Sequence, residues 1–365
     1  VEPEPQTVFI HEIQGSGPAA AIVGPVRIQG IVTSLFTRDD QPEGFFVQEE
    51  DADADADPAT SEGIFVFCRN GCPTVAVGDQ ITVDGEAEDF FGMTQIDAAF
   101  GSGTFSIESS GNALPSATPI DLPASGDTTA EATFESTEGM IVVFPDTLVV
   151  SEYFALARFG QVVLTENEHP YQFTHLNLPS VDGYNAFLDD LAKRRIILDD
   201  DNNDQNDPIF DGPDEAYFYP NPGLSIGNRF RGGDTIADLT GVLHWSFAGS
   251  SGTDAWRVRP IDGIDYTFES VNTATDEPDD VGGDISVASF NVLNYFTTLD
   301  NGADICGPAA DQGCRGADSA SEFTRQRGKI VAALLAMDAD IVGLIELENN
   351  GAAAPANDGI DPVLQ

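Results

Sequence analysis

Ile285-Ser-Val-Ala-Ser-Phe-Asn-Val-Leu293 and, further on, Asp340-Ile-Val-Gly-Leu-Ile-Glu-Leu347 decide the organisation of the C-terminal part of the chain. Each is an apolar run of strand length that ends in polar residues, Asn291, Asn294 and Tyr295 in the first and Glu346 in the second. Such runs read as buried strands. Between them, Phe323, Ile330, Val331, Leu334 and Leu335 recur on one side of a helix expected from Ser319 to Met337. Ser319 and Glu322 form a capping-box pair at its start. Strand, helix and strand of these lengths make a βαβ unit, which puts the ends of both strands on the same edge of a sheet. Asn291 and Glu346 are expected to converge there. A carboxylate and an amide on one rim suit a hard divalent cation, which takes oxygen ligands and keeps water for its other positions. By spacing alone an equal alternative stands: Asn291 caps a turn and Glu346 is the polar end of a buried strand.

Working back toward the N-terminus, Asp199 to Asp207 (DDDNNDQND) is an acidic loop with the oxygen donors that calcium prefers. It lacks the glycine and terminal glutamate of an EF-hand loop, which favours a solvated loop. Upstream of it Asp182 to Arg195 reads as a helix. Gly139–Phe144, Thr147–Val150, Gln161–Thr165, Ala237–Phe247 and Trp256–Arg259 read as strands of a second β-rich domain over 130–270. Residues 111–129 and 271–283, rich in Pro, Ser, Ala, Thr, Asp and Gly, read as linkers. In the first segment, 1–110, strands are expected at Val26–Phe36, Gly44–Gln48, Gly63–Phe67, Ile81–Glu86 and Met93–Ile96, with the acidic run Asp51-Ala-Asp-Ala-Asp-Ala-Asp57 as a loop. Short strands with Gly-rich turns in this number fit a small closed barrel of the oligonucleotide/oligosaccharide-binding type. Phe45 and Phe46 are candidates for stacking on bases. Neighbours on a strand face opposite sides, so at least one of them is expected in the core, and for either taken alone the core reading is favoured over stacking. The fold class is thus mainly β with an α/β C-terminal part over 284–365.

Composition limits the partners. The chain of 365 residues carries 62 acidic against 15 basic side chains, a formal charge of −47. That describes a hydrated carboxylate surface, and it excludes a protein that grips nucleic acid by bulk charge. Any phosphate contact has to be local. Arg27, Arg38, Arg69 and Arg158 are scattered, and the other cations fall from Lys193 onward, in small groups that include Arg315, Arg325, Arg327 and Lys329. No apolar run is long enough to cross a bilayer, and no protein partner is indicated. The chain starts at Val1 without a signal-peptide pattern, so a removed leader and a fragment are both open readings. Four cysteines stand as two close pairs, Cys68 with Cys72 and Cys306 with Cys314. Two short disulfides and an extracellular or periplasmic address are the favoured reading. A single zinc site of four cysteines is the competing one, disfavoured because neither pair has knuckle spacing.

Ser289-Phe-Asn-Val-Leu-Asn-Tyr-Phe296, Cys314-Arg-Gly-Ala-Asp318, Glu322-Phe with Arg325-Gln and Lys329-Ile-Val, and Glu346-Leu-Glu-Asn349 together resemble the large secreted nucleases of marine and other bacteria. Their catalytic domain belongs to the endonuclease/exonuclease/phosphatase superfamily. Gly44-Phe-Phe-Val-Gln48 with Gly78-Asp79 resembles the oligonucleotide-binding-type domain that precedes it in that family. The resemblance implies that residues 284–365 begin a four-layer, DNase-I-like α/β sandwich. It implies that Asn291 and Glu346 are catalytic ligands of Mg²⁺ or Mn²⁺, and that the substrate is extracellular DNA. Arg315, Arg325 and Lys329 become candidates for phosphate contact, weighed against solvated or acid-paired side chains. The family's histidine base and later aspartates are not among these residues: His11, His169, His175 and His244 all precede Asp284. The 365 residues are therefore expected to be the N-terminal part of the enzyme and inactive alone. Other phosphoesterases of the superfamily, and a noncatalytic calcium-binding adhesion protein with structural Ca²⁺ in its acidic loops, are the alternatives.

Overall fold

From Gly24 to Phe36 the odd-numbered side chains Arg27 and Gln29 face solvent while Val26 and Ile28 are buried, the period-2 pattern of a half-buried strand. In the computed structural model, which describes residues 5–124, 134–200, 202–205, 220, 223–225, 227–249, 252–271, 273, 279–280 and 282–349, this segment is one continuous strand, β1 (Gly24–Phe36). It pairs antiparallel with β2 (Gly44–Gln48) along one edge and with β4 (Gln80–Phe90) along the other. β2 pairs with β3 (Gly63–Phe67), β3 runs parallel to β5 (Met93–Asp97), and β5 returns antiparallel to β4. The order β1-β2-β3-β5-β4-β1 closes a five-stranded barrel, so each strand has both edges paired. A further strand, β6 (Thr104–Ser109), adds to β4. Closure needs a small residue where β1 and β2 pass closely: a Cβ on Gly30 would sit 2.7 Å from the carbonyl oxygen of Gln48. The five strands expected from the sequence are all present, with ends shifted by a few residues.

A second, open sheet is built from β7 (Ile141–Phe144), β8 (Leu148–Glu152), β9 (Val162–Glu166), β10 (Arg195–Leu198), β11 (Leu239–Ser246) and β12 (Ala255–Arg259). Their order is β8-β9-β10-β12-β11-β7, with short strands at Thr235–Ile236 and Thr118–Pro119 on its edges. Barrel and sheet belong to one compact unit, Val1–Thr273, which takes in both the 1–110 and the 130–270 segments. One apolar cluster joins Phe36, Phe46 and Phe65 of the barrel to Val142, Leu164, Val242 and Val258 of the sheet. Polar ties cross at the same place: Ser34 Oγ donates to the Pro260 carbonyl and Gln48 accepts from Ile141 N–H, each at 2.8 Å.

Burial decides two of the sequence readings. Phe45 and Phe46 are both buried, Phe45 inside the barrel and Phe46 against the sheet, because this strand is covered on both faces. Neither can stack on a base. The acidic run after β10 does not begin as a solvated loop, since Asp199 and Asp200 are buried. Asp199 lies 3.2 Å from Arg257 and 3.7 Å from Arg259, and all three side chains are 1% exposed. Two buried guanidiniums need a buried anion, and β10 supplies it where it runs parallel to β12. Asp201, Asn206 and Asp207 lie outside the described residues.

In the second unit, Ala274–Gln365, the described residues include the expected strand, helix and strand. β13 (Val287–Tyr295) and β14 (Ile341–Leu347) pair in parallel from Val287↔Ile341 to Asn291↔Ile345, and the crossover contains α1 (Ala320–Met337). Ser319 caps the helix by accepting from Glu322 N–H, while the Glu322 carboxylate accepts from Asp318 N–H. Gln326 donates from its amide to the Leu293 carbonyl at 2.7 Å, and Phe323 stacks on Tyr295 with ring centres 5.3 Å apart. These contacts fix the helix to the end of β13. Both cysteine pairs, Cys68–Cys72 and Cys306–Cys314, are disulfides and no cysteine is free, which removes the zinc alternative. Among the described residues no helix is long and apolar enough to cross a membrane.

Candidate functional site

The rim that gathers polar groups is a distortion in the β13–β14 ladder. Register is regular to Asn291↔Ile345 and resumes at Tyr295↔Leu347, so three residues of β13 stand opposite Glu346 alone. Bulges of this kind re-aim side chains at strand ends. Leu293 (φ 55°), Asn294 (φ 52°) and Glu346 (φ 67°) all occupy the left-handed region. For a non-glycine residue that conformation costs on the order of 1–3 kcal/mol and persists only when its surroundings impose it.

The surroundings here are hydrogen bonds to the two residues named from sequence. Asn291 Nδ2 donates to Glu346 Oε1 at 2.7 Å, and Asn294 N–H donates to Glu346 Oε2 at 3.2 Å. Asn291 Oδ1 accepts from Leu293 N–H at 2.9 Å. Both side chains are exposed. The geometry thus brings Asn291 and Glu346 together across the sheet edge, at the place the βαβ reading expects. Among the described residues each Glu346 oxygen accepts a single hydrogen bond, which leaves further lone pairs for a ligand. Hard oxygen donors on an open rim fit Mg²⁺ or Mn²⁺, which commonly take one or two protein carboxylates and complete their shell with water and substrate phosphate. Among the described residues no group of three or more His, Cys, Asp or Glu is arranged to hold a metal ion.

Glu348 is the residue that sequence reasoning passed over. It is buried, and its Oε2 accepts from Thr297 N–H (2.7 Å), Thr297 Oγ1 (2.9 Å) and Thr298 N–H (3.1 Å). Its backbone N–H donates to the Tyr295 carbonyl, and Cys306 Sγ lies 3.7 Å from Oε1. Glu348 therefore ties β14 to the chain leaving β13 and to the Cys306–Cys314 loop, and it holds the bulge from behind. The available signal was a second acid two residues beyond Glu346, just past the end of the apolar strand. At the other end of the ladder the Asp340 carboxylate accepts from Ser286 N–H and Oγ, and these bonds hold its pKa below the usual carboxylate range.

Arg315, Arg325 and Lys329 are exposed. Arg325 stands 3.7 Å from Glu322 on the same helix, and the Arg327 guanidinium lies over the Phe323 ring at 6.0 Å. The first acidic loop is tied at its start to Ser116, whose N–H and Oγ donate to Asp51 and lower its pKa, and within the loop Asp55 accepts from Asp57 N–H. His244, buried against Met93, has its pKa pushed well below the usual histidine value by burial and by the charges of Arg259 and Arg257. Compared with known proteins, the chain matches no family model and no curated protein.

Proposed function

We propose that the second unit is the opening of a DNase-I-like α/β sandwich and that the protein is a secreted, metal-dependent endonuclease acting on extracellular DNA. The observation that carries this reading is the meeting of Asn291 and Glu346 on a strained, bulged rim at the ends of two parallel strands. The sheet supports the fold assignment. Val287, Ile341 and Ile345 are 71%, 56% and 51% exposed and share one face by register, so that face calls for another apolar layer. The two disulfides agree with an oxidising, extracellular or periplasmic address.

Glu346 and Asn291 would hold the divalent ion, which when bound polarises the scissile phosphate and offsets the charge that builds as water attacks in line. The chain's own residues position that seat. Asn291 orients the Glu346 carboxylate, the Asn294 amide steadies its second oxygen, and Glu348 anchors the backbone behind both. Hydrolysis forms one phosphorus–oxygen bond to water and breaks one to the sugar, with the water proton leaving to a base. None of the four histidines lies in this unit, so the base is not a histidine among residues 274–349.

The test uses the mature protein that bears this sequence, incubated with supercoiled plasmid in magnesium. Nicking is expected, chelator should abolish it, and Glu346→Gln should reduce it by roughly two orders of magnitude, the scale of removing one group that stabilises transition-state charge. Equal nicking by wild type and Glu346→Gln, with matching circular dichroism, would remove the assignment.

A further inference from the structure

Barrel and second sheet are joined by a short strap, residues 138–141, whose backbone is gripped from both sides. On the barrel side Ser61 Oγ donates to the Glu138 carbonyl at 2.6 Å, and the Gln48 side chain accepts from Ile141 N–H at 2.8 Å. On the sheet side Gly139 N–H donates to the Leu243 carbonyl of β11 at 2.7 Å, and Leu243 N–H donates back to the Met140 carbonyl at 3.0 Å. The approach is so close that a Cβ on Gly63 of β3 would lie 2.2 Å from the Gly139 carbonyl carbon. Into this seam runs the Glu138 side chain. It is 2% exposed, and its Oε2 accepts from Thr94 N–H of β5 at 3.0 Å. Oε1 is buried with no hydrogen-bond partner among the described residues. Gln14 stands nearby, but its amide donates to the Gly63 carbonyl at 2.7 Å.

A carboxylate here would be a buried charge without compensation. The charged groups that face it are Glu135, on the turn before the strap, and Asp89 on β4, and both are acidic. Glu62, between Ser61 and Gly63, lines an acidic cavity with Glu49 and Asp55 and brings no positive charge. His244, the titratable group of β11, is held neutral. Burial first, and then the charge of Glu135, push the Glu138 carboxyl well above the usual carboxylate range, against the pull of the Thr94 hydrogen bond. A neutral carboxyl escapes most of the penalty of burying a charge. We infer that Glu138 is a proton-held latch: neutral, it closes the seam between barrel and sheet, and loss of its proton loosens that seam. A plain acceptor for Thr94 N–H could equally be a glutamine. The acid adds a response to pH of fixed sign. Below the usual carboxylate range the folded and unfolded chains both hold the proton, and the latch contributes in full. As pH rises the unfolded chain gives up its proton first, so stability is lost progressively until the folded value is passed.

The experiment unfolds the intact chain in urea between about pH 5 and about pH 9 and follows tryptophan fluorescence. Both tryptophans border the seam: Trp245 Nε1–H donates to the Phe91 carbonyl of the barrel at 3.0 Å, and Trp256 meets Phe134, ahead of the strap, edge-on at 6.1 Å. The ratio of wild-type to Glu138→Gln unfolding constants should climb by up to about tenfold per pH unit and then level off at the folded pKa. In a Glu135→Gln background, which removes the facing charge, it should level off at a lower pH. A second readout needs no variant. The infrared carbonyl band of a protonated acid should be present in the folded wild type at about pH 7, where ordinary carboxyls are ionised, and vanish on unfolding. A ratio that stays flat across the range, or a folded wild type without that band, overturns the inference. Neither readout involves DNA or a metal ion, so the latch stands or falls separately from the plasmid assay.

Discussion

Replacing Glu346 by glycine should leave the second unit more stable than replacing it by alanine, an inversion of the usual order. Both substitutions delete the same carboxylate and the same two hydrogen bonds, from Asn291 Nδ2 and Asn294 N–H. They differ only in backbone cost. At φ 67° alanine carries the left-handed penalty of about 1–2 kcal/mol, which glycine escapes. Glycine in turn loses about 0.4–1 kcal/mol through the greater entropy of its unfolded chain. The steric term is the larger, leaving glycine ahead by roughly 0.5–1 kcal/mol. Both tryptophans lie in the first unit and cannot report on this one, so the assay is amide exchange in peptides covering Val287–Tyr295, where protection should be about two- to fivefold greater in Glu346→Gly. Alanine at least as protected as glycine would mean that the backbone is not strained at 346, and the argument that the rim is held open for function would fall with it.

Glu348→Ala removes the carboxylate that accepts from Thr297 N–H, Thr297 Oγ1 and Thr298 N–H and should destabilise the second unit by about 2–5 kcal/mol, read as loss of exchange protection at 295–298 with the tryptophan-monitored transition of the first unit unchanged. His244 is held neutral in the folded state, and its folded pKa lies below the unfolded value of about 6.5. Below that pH the unfolded chain binds a proton the folded one refuses, so stability falls with acidification by up to about 1.4 kcal/mol per pH unit until the folded pKa is reached. The acid limb of wild-type denaturation should be steeper than that of His244→Gln, and parallel limbs would contradict the burial argument. At a formal charge of −47, DNA binding should not show the steep loss with added salt that basic proteins show. A steep negative salt slope in a filter-binding titration would point to a cationic surface that this sequence does not provide.

How much of this was legible beforehand follows from which forces act locally. The barrel strands and the βαβ unit were readable because burial is written in period: alternation from Val26 to Phe36, unbroken apolar runs at 285–293 and 340–347, helical spacing from Phe323 to Leu335. Strand edges, by contrast, carry no residue label. That β3 runs parallel to β5 and that the barrel shares its apolar cluster with the second sheet depend on pairings between distant segments. This is also why Phe45 and Phe46 were ambiguous. Alternation sends one of them outward, and only the sheet packed on that outer face determines that it too is buried. Asp199 misled for the same reason: in a run of acids it looks hydrated, and its partners Arg257 and Arg259 arrive from a strand far along the chain.

The site shows the same division at smaller scale. Asn291 and Glu346 could be paired in advance because a helical crossover makes the two strands parallel, and parallel strands end on a common edge. What sequence could not supply is the shape of the edge. The bulge sets three residues of β13 against one of β14, and it requires left-handed backbone at Leu293, Asn294 and Glu346, of which only asparagine favours it. A stretch whose local preferences oppose its conformation must be held by something else. Here the holders are the buried Glu348 carboxylate, the Gln326 amide and the Cys306–Cys314 loop. None of them is needed to make a strand, a helix or a crossover. All three act on the few residues that orient Asn291 and Glu346, so the strain is concentrated where the two donors meet. A plain polar strand end would need neither the strain nor its supports, and that excess of restraint favours a functional rim over a merely capped one.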